Sequence, residues 1–471
     1  MAHNVIDVPA AELERQKKIM NRMAEHTAAL PETPLAMVDT YGCQQNEADS
    51  EKIRGMLHEM GYRFTDNEYE ADLIVINTCA VREHAEMRAL GNVGALVHAK
   101  RAKPGQLIAL CGCMVTQEQM AKKVKTSYPH VDLVFGTHEL YRFPELLEKT
   151  VKPHKGRIFE VRQIDGERFE GLPSYRIHDV KAWLSVMYGC NNFCSYCIVP
   201  YVRGRERSRK PEDILAECRA LIEGGTREIT LLGQNVNSYG KDLECGMDFA
   251  DLLEAICAMD GDFLVRFMTS HPRDASKKLF DTMARNPKIA KQLHLPFQSG
   301  SSRVLKAMNR HYDREIYLEK VRYAKSLMPE LVLTSDVIVG FPGETEEEFE
   351  ETLSLIEEVR YDALFTFIFS PRPGTPAASM DDPTPREEKN RRFDKLCALQ
   401  NRISEEIHSG YVGRTFRCLV DGRDKDTLTA RTEGGRLVRF AGDDSLIGSY
   451  HNITITGSTT WSLTGELTLT N

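Results

Sequence analysis

The chain has 471 residues, of which 41% are hydrophobic and 28% are charged, and this composition is typical of a globular protein with about three domains. Its formal net charge of −8 excludes a broadly basic surface, so a nucleic-acid partner has to be bound by local basic patches. No apolar run is long enough to span a membrane, and charged residues stand where a signal peptide needs an apolar stretch. We therefore expect a cytoplasmic protein that contacts no membrane.

The N-terminal part of the chain is predicted to form an open parallel sheet. Residues 1–33 are polar and favour helix, and we interpret them as an N-terminal extension. Between residues 34 and 150, helical patterns alternate with short apolar runs, which predicts βαβ units. The predicted strands of this domain are residues 34–42, 71–78, 105–112 and 131–136. Residues 151–182 are mixed and polar, and they are predicted to be a linker.

Residues 183–408 show a second alternation of strand and helix patterns. The predicted strands of this domain are residues 183–189, 228–234, 264–270, 292–298, 331–341 and 363–370. Parallel strands separated by helices predict a partial (β/α)6 barrel, which is followed by a long charged helix. Residues 411–471 change to short β-type runs with Gly and Asp turns, typical of a small all-β barrel or sandwich. The predicted fold class is therefore α/β with a small all-β module at the C-terminus.

Three of the 12 cysteines follow the first predicted barrel strand in a C-x3-C-x2-C pattern, namely Cys190, Cys194 and Cys197. In a reducing compartment, clustered cysteines bind metal more often than they form disulfides. Thiolates packed this tightly favour a soft, iron-rich centre. A structural zinc ion or an electron-transfer cluster takes four ligands, whereas this pattern supplies three and leaves one iron of a [4Fe–4S] cluster open. The alternative is a zinc site completed by a distant ligand.

A second set of cysteines is spread over the N-terminal domain. Cys43, Cys79 and Cys113 each come at the end of a predicted strand. Ligands of open parallel sheets bind outside the carboxyl ends of the strands, so these thiols can converge on one incompletely ligated cluster. Cys111 lies in the same segment as Cys113, and we select Cys113 because it follows a glycine, as Cys43 does. The alternative is that all of them are ordinary buried cysteines of a core.

The motifs around these cysteines resemble known proteins. The C-x3-C-x2-C spacing resembles the radical S-adenosylmethionine superfamily. The segments that extend the resemblance to the methylthiotransferase family are TYGCQQNEADSE, INTCAVREHAE, CGCMVTQ, VMYGCNNFCSYCIVPYVRGRERSR, LLGQNVNSYG and HLPFQSGSS. The likeness covers about residues 34–471, and the C-terminal β module is similar to the TRAM domain, an OB-like RNA-binding barrel.

This resemblance implies two [4Fe–4S] clusters and S-adenosylmethionine as cofactors. The C-x3-C-x2-C cysteines would bind the radical cluster, and the second cysteine set would bind an auxiliary cluster. In the family, one S-adenosylmethionine is cleaved reductively to a 5′-deoxyadenosyl radical, and another methylates sulfur at the auxiliary cluster. An external, flavodoxin-like electron donor is implied, and we expect a monomer.

The implied reaction adds a methylthio group to carbon 2 of N6-isopentenyladenosine 37 in the tRNA anticodon loop. LLGQNVNSYG, NTCAVREHAE and the Asn-Asn-Phe between the first two cysteines of the C-x3-C-x2-C motif favour this branch. One alternative is a paralogue that acts on threonylcarbamoyladenosine in tRNA or on a ribosomal-protein aspartate. Another is a non-catalytic RNA-binding protein or iron–sulfur carrier.

Contacts to S-adenosylmethionine are predicted at the ends of the barrel strands, where active sites of such barrels lie. Tyr196 matches the family position beside the adenine. Gln234 and Asn235 follow the second predicted strand, and Ser270 ends the third. Histidines also end barrel strands, but a lone histidine there is more often structural than catalytic, so no catalytic residue is assigned beyond the cluster ligands.

The segment DVIVGFPGE is similar to the adenine-contacting motif G-x-I-x-G-x-x-E of the superfamily. Ile338 fits the motif, whereas Asp336 replaces its first glycine and Glu344 falls one place late. We still predict cofactor contacts from Asp336 and Ile338.

A dense basic stretch follows the cysteine loop. Arg203, Arg205 and Arg207 are predicted to bind the substrate, because guanidinium groups bind phosphates and carboxylates through paired hydrogen bonds. The alternative is a merely solvated run of charge.

Overall fold

The computed structural model describes residues 6–81, 83–151, 156–162, 164, 166–176 and 180–468, with only the backbone of residues 83–85. The chain divides into two compact units. The first unit comprises Met1–Ile177, Ser185–Asn191 and Cys197–Arg209, and the second comprises His178–Leu184, Asn192–Tyr196 and Lys210–Asn471. Among the helices described, none combines the length and the apolar character that a membrane crossing needs.

An open parallel sheet forms the centre of the first unit. Its strands, with the two short ones that flank it, are β1 (Ile6–Asp7), β2 (Leu35–Tyr41), β3 (Arg63–Phe64), β4 (Leu73–Thr78), β5 (Leu107–Gly112), β6 (Leu133–Phe135), β7 (Ile158–Glu160) and β8 (Glu167–Arg168). The helices are α1 (Ala10–Ala28), α2 (Gln44–Glu59), α3 (Glu83–Ala102), α4 (Cys113–Thr116), α5 (Glu118–Ser127) and α6 (Phe143–Val151). The sheet order is β3-β2-β4-β5-β6-β7, with every pair parallel. The predicted parallel sheet is confirmed.

The strands of this sheet are apolar on both faces, as expected for a parallel sheet that is covered by helices on each side. Every residue of β4 is buried, and separate apolar cores lie on the two faces of the sheet. The register pairs Tyr41 with Thr78 and Thr78 with Gly112, so β2, β4 and β5 end at one level. This level edge is where the second cysteine set lies.

Two segments outside the predicted domain contribute to the first unit. The predicted linker holds β7, the edge strand of the sheet, and β8, which pairs with β1. Helix α1, within the predicted extension, buries Ile19, Met20 and Met23 in the same core as Leu146 and Leu147. The sequence analysis did not predict these contacts, because both segments are mostly polar and each contributes only a few residues to the core.

Parallel strands in chain order form the larger part of the second unit. After β9 (Lys181–Ser185), the chain returns to the first unit with β10 (Met187–Tyr188), α7 (Val199–Arg203) and β11 (Arg207–Ser208). The elements of the second unit that follow are α8 (Pro211–Glu223), β12 (Glu228–Leu232), α9 (Phe249–Cys257), β13 (Leu264–Phe267), α10 (Lys277–Arg285), β14 (Gln292–His294), α11 (Ser302–Ala307), α12 (Arg314–Leu327), β15 (Val332–Val339), α13 (Glu346–Val359), β16 (Ala363–Ile368) and α14 (Arg386–Ser409). The sheet orders are β13-β12-β9 and β14-β15-β16. A parallel bridge between Val265 and Ile289 links β13 to the segment before β14.

A closed β-barrel follows α14. Its strands are β17 (Thr415–Asp424), β18 (Thr427–Thr432), β19 (Leu437–Phe440), β20 (Tyr450–Ser458) and β21 (Leu463–Leu467), in the order β17-β18-β19-β21-β20. Alternate residues of these strands are buried, as in β18, where Leu428, Ala430 and Thr432 point inward. The predicted all-β module is confirmed, and closure leaves the barrel without an open edge.

Candidate functional site

Cys43, Cys79 and Cys113, the thiol trio, lie at the level edge of the first unit's sheet. Cys79 and Cys113 come directly after β4 and β5, and Cys43 comes two residues after β2. Close packing requires the glycines beside them: a Cβ on Gly42 would lie 3.0 Å from Cys79 Cβ, and Gly112 has a φ of 97°. The strand register therefore brings the three cysteines to one edge.

The cysteines of the thiol trio shift one another's pKa values, and Arg203 contributes to these shifts. A hydrogen bond with the Cys79 thiol lowers the pKa of Cys43, and the charge of Arg203 lowers it further. The same hydrogen bond raises the pKa of Cys79, and burial adds to this rise. Burial raises the pKa of Cys113, against the charge of Arg203. Cys43 also begins helix α2, whose dipole favours a thiolate.

Two buried asparagines connect the loops that carry Cys43 and Cys79. The backbone N–H of Cys43 donates to Asn46 Oδ1 at 3.4 Å, and Asn46 Nδ2 donates to Asn77 Oδ1 and to the Thr78 carbonyl, both at 3.1 Å. Asn77 Nδ2 donates back to the Asn46 carbonyl at 2.9 Å. A buried network of this kind holds the two loops in one arrangement. The sequence analysis missed both residues, although each stands within three residues of a predicted ligand.

Arg203 lies beside the thiol trio. It is 5% exposed, its Nε donates to Cys113 Sγ at 3.1 Å, and its Nη2 donates to Asp49 Oδ2 at 2.9 Å. Burial opposes its charge, but Cys113, Asp49 and Cys43 keep its pKa well above the usual range. These two donors face a cysteine and a carboxylate inside the unit, and the binding of substrate by Arg203 stays a prediction.

The other two arginines of the basic stretch differ from each other. Arg207 is 4% exposed and its Nη1 donates to the carbonyls of Arg203 and Arg205 at 2.8 and 2.9 Å, so it stabilises its own loop. The binding of substrate by Arg207 stays a prediction. Arg205 is half-buried and keeps part of its surface open.

Cys111 and Cys113 have different surroundings in the structure. Cys111 belongs to an apolar core with Phe135 and Leu140, and burial raises its pKa well above the usual value. Cys113 instead begins α4 and contacts Arg203. The geometry supports Cys113 as the third member of the trio.

The thiol trio fits a cluster with three cysteine ligands, because three thiols from adjacent strand ends lie beside a cation that offsets thiolate charge. Cys79 Sγ also accepts a hydrogen bond from the Val81 N–H at 3.3 Å, a contact that favours bound thiolate. Within the described residues, no group of three or more His, Cys, Asp or Glu side chains is arranged to hold a single metal ion.

The second unit carries buried polar atoms without partners at the ends of its strands. Asn235 follows β12, Ser270 and His271 follow β13, and Gln298 follows β14, and each is at most 7% exposed. Asn235 Oδ1, Ser270 Oγ, His271 Nε2 and Gln298 Oε1 have no hydrogen-bond partner within the described protein. Buried polar groups without partners mark a place where a ligand or water completes the site. The predicted Asn235 and Ser270 belong to this group, and Gln234 is half-buried beside it.

Cys194 and Tyr196 share a buried partner that the sequence analysis missed. Arg310 is 4% exposed, and its Nη1 lies 3.4 Å from both Cys194 Sγ and the Tyr196 hydroxyl. Its Nη2 donates to the Pro296 carbonyl at 2.8 Å, and its Nε donates to the Tyr312 hydroxyl at 3.0 Å. A cation so close to a cysteine sulfur fits a bound, negatively charged cluster. Cys190 and Cys197 belong to the first unit, where Cys190 is buried and Cys197 half-buried.

The predicted Ile338 and Tyr196 belong to one apolar region. Ile338 is part of a buried cluster with Phe341 and Phe369, and Tyr196 packs against that cluster. Asp336 is half-buried, with its Oδ2 3.6 Å from His294 Nε2.

Glu344 stabilises the turn after β15. Its Oε2 accepts the Gly340 N–H at 2.8 Å, and Gly340 has a φ of 69°. Glu344 is 3% exposed, and burial raises its pKa to about 7 despite the Gly340 hydrogen bond and nearby Arg392. The Glu344 side chain therefore holds the backbone of this turn.

We expect Glu344→Gln to remove a pH-dependent loss of stability. A folded pKa near 7, above the unfolded value of 4.5, means that stability is full below about pH 4.5 and falls as the pH rises through 7. The wild-type loss over this window is about 3 kcal/mol. Urea unfolding of the wild-type and Glu344→Gln chains at pH 5 and pH 8 measures this change in the free energy of unfolding. The same change with pH in both chains would contradict the prediction.

A large aromatic side chain is exposed in a turn of the β-barrel. Trp461, between β20 and β21, is 68% exposed. Several barrel arginines pair with acids of the same unit, namely Arg414 with Glu330, Arg417 with Asp262, Arg431 with Asp421, Arg436 with Asp362 and Arg439 with Asp424. These pairs offset the positive charge of the barrel arginines.

Family models match three parts of the chain. They are the radical SAM superfamily over residues 184–356, an uncharacterized protein family designated UPF0004 over residues 36–136, and the TRAM domain over residues 410–468. Among solved structures, the radical S-adenosylmethionine methyltransferase TsrM from Kitasatospora setae is 12% identical with a TM-score of 0.55, covering 73% of this chain and 75% of that chain. The fold and the cysteine motif thus define a radical SAM protein.

Curated relatives show which family of radical SAM proteins the chain belongs to. A tRNA-2-methylthio-N(6)-dimethylallyladenosine synthase of Alkaliphilus oremlandii is 52% identical over 434 residues, covering 92% of each chain. The protein of the same name from Acetivibrio thermocellus is 48% identical over 469 residues, covering 98% of each chain. The chain belongs to the family of tRNA-2-methylthio-N(6)-dimethylallyladenosine synthases. Its radical SAM domain implies one [4Fe–4S] cluster and S-adenosylmethionine.

Proposed function

We propose that this chain adds a methylthio group to carbon 2 of N6-isopentenyladenosine 37 in the tRNA anticodon loop. The observation that carries the proposal is the convergence of the thiol trio at one sheet edge, in a chain that also holds a radical SAM motif. A carrier of one closed cluster has no use for two incomplete cysteine sets. Near-full-length relatives with the synthase name support the same activity.

When bound, the radical cluster with S-adenosylmethionine supplies a carbon radical, and an auxiliary cluster supplies sulfur chemistry. The C-x3-C-x2-C cysteines would hold the first cluster, and the thiol trio would hold the second. Asn235 and Ser270 have unpaired polar atoms suited to a polar cofactor. Gln234 follows β12 and Asp336 lies within β15, and we propose both as further cofactor contacts. Tyr196 and Ile338 would pack against the adenine.

The loop that carries Cys194 is held from the second unit's own residues. Ser195 donates its N–H to the Met308 carbonyl at 3.0 Å, and Asn309 Nδ2 donates to the Phe193 carbonyl at 2.9 Å. Phe193 has a φ of 45°, a conformation that needs such support. We infer that these contacts fix Cys194 and Tyr196 before the cofactor binds, which lowers the entropic cost of assembling the site.

We also propose an electron donor, an oligomeric state and a location for the chain. A flavodoxin-like protein would supply electrons, the chain would act as a monomer in the cytoplasm, and the domains would follow the predicted boundaries. Arg205, with its partly open surface, is the arginine of the basic stretch that we propose for contact with RNA. The barrel would bind the tRNA beside the modified loop, as the TRAM match supports.

Nucleoside analysis of tRNA from a strain without this protein tests the function. We expect loss of the 2-methylthio group from isopentenyladenosine, with the isopentenyl group retained. Return of the modification on expression of the wild-type chain, but not of a Cys190→Ala chain, is the control. Normal isopentenyladenosine together with a changed ribosomal protein, or with changed threonylcarbamoyladenosine, would favour a paralogous activity instead.

Trp461→Ala is expected to weaken tRNA binding about tenfold. Stacking of one base on an aromatic ring contributes about 1–3 kcal/mol, and an exposed indole is available for it. Trp461→Phe keeps an aromatic face and should retain most of the affinity. Filter binding measures the affinity at fixed salt, and equal affinity of the Ala variant and the wild type would show that Trp461 does not stack on RNA.

A further inference from the structure

We propose that Arg203 tunes the auxiliary cluster, as a positioning residue that holds the thiol trio and neutralises part of its charge. The inference rests on the proposed function, because it concerns the cluster that the thiol trio would bind. It assigns to Arg203 a role different from the RNA contact predicted by its basic neighbours.

The contacts of Arg203 are those of a fixed cation. One edge of the guanidinium meets a sulfur, with Nε 3.1 Å from Cys113 Sγ, and the other meets a carboxylate, with Nη2 2.9 Å from Asp49 Oδ2. Arg203 is 5% exposed and Asp49 is 7% exposed. Bulk water therefore screens these charges weakly, and each acts strongly on its neighbours.

Hydrogen bonds of the neighbouring backbone fix the position of Arg203. It ends helix α7, and its carbonyl accepts the Arg207 Nη1–H at 2.8 Å. The Val202 carbonyl accepts the Thr137 hydroxyl at 2.6 Å, which ties α7 to the loop after β6. Asp49 lies on α2, the helix that Cys43 begins. The Arg203–Asp49 ion pair thus joins α2, which follows Cys43, to the arginine that contacts Cys113.

The charge arrangement predicts the direction of the effect on a bound cluster. Reduction adds negative charge to the cluster, and a hydrogen-bonded guanidinium stabilises that charge. Arg203 therefore raises the reduction potential, and it also favours the thiolate form in which cysteines bind iron. Asp49 offsets part of the positive charge and acts in the opposite direction.

The experiment isolates the auxiliary cluster in the full chain by replacing Cys190, Cys194 and Cys197 together with alanine. In this background, reconstitution should give about four irons per chain. Arg203→Met should lower the reduction equilibrium constant at least tenfold, which is about 59 mV for one electron, and should speed iron loss to a chelator. Asp49→Asn should raise the reduction potential, in the opposite direction to Arg203→Met. Damage to packing would not move the potential in opposite directions in the two variants.

Controls separate the possible outcomes. Arg209 is a buried arginine of the same stretch, with Glu170 as its ion-pair partner, so Arg209→Lys should leave the potential unchanged. Arg203→Lys keeps the charge and gives a folded chain to compare if Arg203→Met does not fold. A potential that is equal in the wild-type, Arg203→Met and Asp49→Asn chains overturns the inference. If Arg203→Met does not fold, an Asp49→Asn potential equal to the wild type overturns it. Absence of iron in the isolating background overturns the proposed function instead.

Discussion

Cys79→Ala is expected to abolish methylthiolation while the reductive cleavage of S-adenosylmethionine continues. Cys79 is buried, and its sulfur is the hydrogen-bond partner of Cys43, so its loss leaves two separated thiols at the sheet edge. Two cysteines hold an iron cluster poorly, whereas the C-x3-C-x2-C motif is untouched. We expect iron to fall from about eight to about four per chain.

The measurement combines iron content, release of 5′-deoxyadenosine with dithionite, and formation of methylthiolated tRNA. Methylthiolation should fall at least 100-fold, and cleavage should stay within about twofold of the wild type. Cys111→Ala is the matched control, because Cys111 lies on the adjacent strand β5, is buried in an apolar core, and its replacement should cost stability only. Full modification by the Cys79→Ala chain would disprove the assignment of the thiol trio.

Arg310→Met is expected to lower reductive cleavage of S-adenosylmethionine at least tenfold. The substitution removes the donor beside Cys194 and leaves the Tyr196 and Tyr312 hydroxyls without a charged partner. A buried group that loses its hydrogen bond costs about 1–3 kcal/mol, and a cluster that loses a nearby cation becomes harder to reduce. We therefore expect a lower potential of the radical cluster as well as slower cleavage.

Arg314→Met provides the comparison for Arg310. Arg314 lies four residues later in the chain, and its Nη1 donates to the Glu351 carbonyl at 2.6 Å, so its loss affects packing between helices. Cleavage and potential should stay near wild type in that variant. Arg310→Lys should restore part of the potential. A normal potential in Arg310→Met would show that its role is structural alone.

The sequence predicted the fold from patterns with clear physical causes. Short apolar runs ended at Thr78 and Gly112 because parallel strands buried on both faces exclude polar side chains. The ends of such strands carry loops, and loops carry chemistry, so the cysteines there were recognisable. The choice of Cys113 over Cys111 rested on the preceding glycine, because residues two apart on a strand point to the same face and alternation cannot separate them.

Other features depend on contacts between residues far apart in the chain. Arg203 stood in a basic run, and nothing in that run indicates its partner Asp49, 154 residues earlier. Arg310 stood in no recognised motif, because its role comes from packing against Cys194 and Pro296. Composition identified these arginines only as charged. Their burial, which decides what they contact, is a property of the folded chain.

Iron content of three anaerobically reconstituted chains tests most directly whether this polypeptide holds two separate clusters. The chains are the wild type, a chain with alanine at Cys43, Cys79 and Cys113, and a chain with alanine at Cys190, Cys194 and Cys197. We predict about eight, four and four irons per chain, respectively. About four irons in the wild type, unchanged by alanine at the thiol trio, would contradict the account.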